Sequence, residues 1–92
     1  MTDTHDHRGS DPMRIELIEA DVDMAFSLVV DAREEFHQGN IEFAHAALDD
    51  ANRVVRDIEG RLAKLGAERS APFGPLVGEL RKAIREAQAE CA

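Results

Sequence analysis

The strongest chemical signal in this chain is a pair of short steps, Glu34-x-x-His37 and Glu42-x-x-His45. Residues three apart on a helix share a face, so each step could present a carboxylate and an imidazole together. Paired Glu-x-x-His steps help build di-iron and di-manganese carboxylate centres in helical bundles. Such a centre would make the chain a metal-binding helical bundle, with Glu34, His37, Glu42 and His45 as ligands. Placement weighs against that chemistry. The centre needs two further inward-facing carboxylates in mid-bundle, whereas these steps flank a bend. In the heptad frame of the two helices, Glu34 and His37 lie on the outer face and Glu42 and His45 lie off the seam. They are expected to be solvated surface pairs, with no metal and no cofactor.

Other chemistry finds less support. His5 and His7, with Asp3 and Asp6, sit in a polar stretch without period and fix no coordination geometry. No Ser/His/Asp set, glycine-rich phosphate loop or cysteine pair is present, and the single Cys91 forbids an internal disulfide. The chain is expected not to be an enzyme.

The elements that carry these residues follow a helical rhythm. Ile15, Ile18, Val22, Ala25, Val29, Ala32 and Phe36 are spaced alternately three and four. After His37-Gln38-Gly39-Asn40 the same spacing resumes at Ile41, Ala44, Leu48, Ala51, Val55, Ile58, Leu62 and Leu65. Two seams of this kind, joined by four residues, form an antiparallel helical hairpin. Gly39 suits a left-handed position past a helix end, and Asn40 suits the cap of the next helix. Ala25, Ala32, Ala44 and Ala51 let the backbones approach closely. A register pairing Phe36 with Ala44, Ala32 with Leu48 and Val22 with Ile58 sets large against small. Sliding by half a turn would pair alanine with alanine and still give the hairpin. A third stripe, Val77, Leu80, Ile84, Ala87 and Cys91, marks a shorter amphipathic helix after a proline- and glycine-containing loop. The expectation is an all-α fold: a disordered tail over residues 1–10, then one domain with helices at about 12–37, 41–65 and 75–90. Asp11 and Pro12 suit the opening of the first helix.

Composition narrows the function. The 92 residues suffice for one domain with a modest core, 43% hydrophobic and 33% charged. With neither Trp nor Tyr, the core is aliphatic. No apolar run is long enough to span a membrane and no basic-then-apolar leader is visible, so a cytoplasmic location is expected. The net charge of −8 is uneven. Residues 1–50 hold three Arg and no Lys against thirteen Asp or Glu, while residues 51–92 hold eight basic against six acidic. Folding the hairpin sets the acidic start of the first helix beside the basic end of the second. A domain this acidic is a poor phosphate binder, and Arg81, Lys82 and Arg85, interrupted by Glu79 and Glu86, do not reverse that. No nucleic-acid partner is expected.

The first helix carries more apolar surface than one seam explains. Phe26 and Val30 lie on one side of it, and Leu17, Met24 and Leu28 on the other. A helix apolar on more than one stripe is buried from more than one direction. These five residues are therefore expected to form a protein interface that pairs the chain with a second copy, completing a four- to six-helix bundle. The expected function is a small adaptor or regulatory subunit.

Around the bend, Ala32, Gly39, Ala44, Leu48 and Ala51 are spaced like the small, glycine, small, large and small positions of a tetratricopeptide repeat. The stretch also resembles the helical hairpin of microtubule-interacting and transport domains. It departs from the repeat at Asp31 and Glu35, where large apolar residues are expected, and at Arg56, where a proline would end the unit. The likeness covers about a third of the chain, and no second copy follows. It implies protein or peptide binding in a groove.

Overall fold

The computed structural model describes side chains over residues 12–92. The tail expected over residues 1–10, with His5 and His7, and the cap expected at Asp11 lie outside the described residues. Four helices follow one another: α1 (Thr2–His37), α2 (Ile41–Leu65), the single turn α3 (Ala67–Ser70) and α4 (Gly74–Glu90), with a 3-10 turn at Ala71–Phe73 before α4. The fold is all-α. The first two helices form an antiparallel hairpin, and α4, the third long helix, packs against both.

The seam positions close the hairpin. Ile18, Val22, Ala25, Val29 and Ala32 of α1 are buried, as are Ala44, Leu48, Ala51, Val55 and Ile58 of α2. Each large aliphatic side chain among them contributes about 1.5–3 kcal/mol by leaving water. The four alanines are fully buried, so any larger side chain there would push the helices apart. Among the described residues the buried set is entirely apolar, and no buried side-chain N or O atom lacks a partner. Such a core stabilises without choosing an orientation, which falls to charges at its margins. Arg61 of α2 donates to Asp21 of α1, joining the acidic and basic ends as the charge pattern requires.

The bend is a Schellman motif. The Gly39 N–H donates to the Phe36 carbonyl at 3.0 Å and the Asn40 N–H to the Glu35 carbonyl at 2.8 Å, with Gly39 at φ +88°. The apolar contact that often accompanies this motif is replaced by a polar one. Asn40 Nδ2 donates to Glu35 Oε2 at 2.6 Å. The Asn40 side chain is thereby turned back onto α1 and makes no capping bond to α2, contrary to the capping role expected of it.

The segment after α2 also differs from a plain loop. Gly66, at φ +88° and ψ 162°, occupies a region open essentially to glycine alone. The chain then coils immediately through α3 and the 3-10 turn. Phe73 and Leu76 pack against the core from this corner. From there α4 runs back toward the bend, burying Val77, Leu80, Ile84, Ala87 and Cys91.

Candidate functional site

Polar contacts fix which side of the hairpin α4 occupies. Near its start, Arg81 donates to Glu59 of α2. At its end, Arg33 Nε donates to Glu90 Oε2 at 3.0 Å, and His37 Nε2 lies 3.4 Å from Glu90 Oε1. His45 Nε2 donates to the Cys91 carbonyl at 2.8 Å, which assigns the proton to that nitrogen because a carbonyl only accepts. Helix α4 is thus parallel to α1 and antiparallel to α2. The residues it engages lie on one flank of each hairpin helix: Arg33 and His37 on α1, His45 and Glu59 on α2.

Two of the four candidate metal ligands are therefore docking groups. His37 and His45 bracket the C-terminal end of α4, while Glu34 and Glu42 are exposed beside them. Among the described residues no group of three or more His, Cys, Asp or Glu side chains is placed to hold a metal ion. The open cavity of about 350 Å³ beside His45, lined also by Leu48, Asp49 and Gln88, offers one imidazole and one carboxylate.

The five candidate interface residues divide between the two flanks. Phe26 and Val30 lie two turns and one turn before Arg33 on the stripe that continues to His37, so they belong to the side that α4 takes. Phe26 is half-buried against the core there, while Val30 stays 53% exposed. Leu17, Met24 and Leu28 lie on the opposite flank with Asp21, whose partner Arg61 marks the matching flank of α2. No element of the described chain covers this side. Leu17 and Met24 are 47% and 52% exposed, and Leu28 is half-buried at the seam's edge. Ala47 and Val54 of α2, both half-buried, continue the apolar surface.

Three further exposed apolar residues belong to the inventory: Met13 (64%), Ile41 (41%) and Phe43 (71%). Met13 extends the stripe of Leu17 and Met24 by one turn. Phe43 lies one residue off the α2 seam, on the uncovered flank. A helical projection of α2, and not of α1 alone, is the signal that finds it.

No protein-family model, curated protein or solved structure matches this chain. Among the described residues no helix is long and apolar enough to cross a membrane.

Proposed function

We propose that this chain is a non-enzymatic protein-interaction module, an adaptor or regulatory subunit, that self-associates through the flank of the hairpin opposite α4. One observation carries the reading. A hairpin has two equivalent flanks, and this one has α4 on the first and an apolar stripe of Leu17, Met24 and Leu28, continued by Val54, on the second. Exposed apolar side chains grouped on one flank support an interface, since large apolar patches are uncommon on soluble monomers. The surface lacks the buried, convergent polar groups that a small-molecule site uses for orientation.

Leu17→Glu combined with Met24→Glu tests this, because both side chains are exposed and their loss leaves the core intact. Phe26 is the poorer probe, since its half-buried ring supports the fold. Sedimentation of the double variant is expected to show monomer where wild type shows dimer, with unchanged far-ultraviolet circular dichroism. Equal association of variant and wild type would contradict the reading.

A further inference from the structure

The uncovered flank is not uniform along its length. Toward the bend it carries Asp31, Glu35 and Asp50, with Arg53 at its outer edge 3.7 Å from Asp50. Toward the open end of the hairpin it carries Arg14, Arg61 and Lys64 beside Asp21 and Asp57. Carboxylates are in surplus at one end and cations at the other, with the apolar stripe between.

We propose that the occupant of this flank is a second copy of the chain, docked face to face with its direction reversed. In this arrangement α1 lies antiparallel on the partner's α1, and the carboxylate-rich end of each copy's flank faces the cation-rich end of the other's. The proposal rests on the self-association argued above and adds its orientation. Two identical faces can meet about a two-fold axis in only two ways that keep the helices aligned: bend on bend, or bend on open end. Bend on bend brings two carboxylate-rich ends together, and like charges so placed cost affinity. Reversal sets each surplus against its complement. It also registers the stripes, because Leu17 and Leu28 lie equally far to either side of the Val22–Asp23 step. An axis at that level sets each leucine on the other copy's counterpart.

The size is adequate. At 1.5 Å per residue and two helices about 9 Å apart, the flank over residues 12–33, the stretch centred on that axis, spans roughly 31 by 18 Å, on the order of 550 Å² in projection. Its corrugated accessible area approaches the roughly 800 Å² per partner of a standard interface. A basic helix from another protein would suit the bend end alone and meet Arg14, Arg61 and Lys64 at the other.

The test places a spin label at the bend of the full chain, on Gln38→Cys with Cys91→Ala, after checking that helicity matches wild type. The reversed dimer sets the two labels roughly 45 Å apart, twice the rise from Gln38 to the axis. A separation under about 20 Å, as in bend-on-bend packing across one helix layer, would overturn the orientation and leave self-association standing. A monomer at every concentration would overturn both and assign the flank to another protein. Asp31→Lys reads the same question through affinity. It is expected to weaken the reversed dimer about tenfold by setting cation against cation, whereas tighter association would indicate bend-on-bend packing and refute the proposal.

Discussion

Cys91 shows how a single position reports on the packing of α4. Its thiol is 1% exposed, and burial, reinforced by the adjacent Glu90 carboxylate, raises its pKa above the ordinary 9.0. Thiolate is scarce at neutral pH, so the native protein is expected to react slowly with a thiol-specific dye and fully once denatured. Immediate stoichiometric labelling of the folded chain would show that the end of α4 is undocked. The same shift gives a pH dependence. The unfolded chain releases this proton near pH 9.0 and the folded chain only at higher pH, so the contribution is complete below 9.0 and lost as pH rises toward the folded value. The stability advantage of wild type over Cys91→Ala is expected to narrow between pH 8 and 10. The position of Cys91 on an apolar stripe is legible from the three-four spacing of α4. The partners of His37 and His45 are not, because the C-terminal end of α4 reaches them from more than forty residues away in sequence.

At the scale of elements, glycines separate what the backbone demands from what it tolerates. Gly66 turns the chain out of α2 at φ +88°, and Gly66→Ala is expected to cost about 1–3 kcal/mol by forcing a side chain into that region. Gly60 lies inside α2, and a Cβ there would meet nothing within 4 Å. Gly60→Ala is expected to stabilise by roughly 0.5–1 kcal/mol through helix propensity alone. Urea denaturation of the two variants checks the opposite signs, and a shared sign would contradict the local conformations. The hairpin itself was legible because burial of a seam imposes the helical period on sequence. The coil of Ala67–Phe73 was not, since Pro72 and Gly74 read equally well as loop residues and the turn is held from outside by Phe73 on the core. Asn40 departs from the expected cap for a related reason. Its cap propensity is local, whereas the charged acceptor that captures its amide belongs to the preceding helix.

For the whole molecule the open question of the sequence was which flank the third helix would take. The surplus of apolar residues on α1 is plain in the heptad pattern, but the pattern is nearly symmetric about the seam. The docking contacts of α4, Arg33–Glu90 and Arg81–Glu59 among them, assign it to the side of Phe26 and Val30. That choice leaves Leu17, Met24 and Leu28 as the surface on which function is proposed to rest. Mass in solution by light scattering over a range of concentrations tests this most directly. Self-association through the uncovered flank requires twice the chain mass of 10.2 kDa, falling toward one chain on dilution or on Leu17→Glu with Met24→Glu. A mass of one chain at every concentration would contradict it.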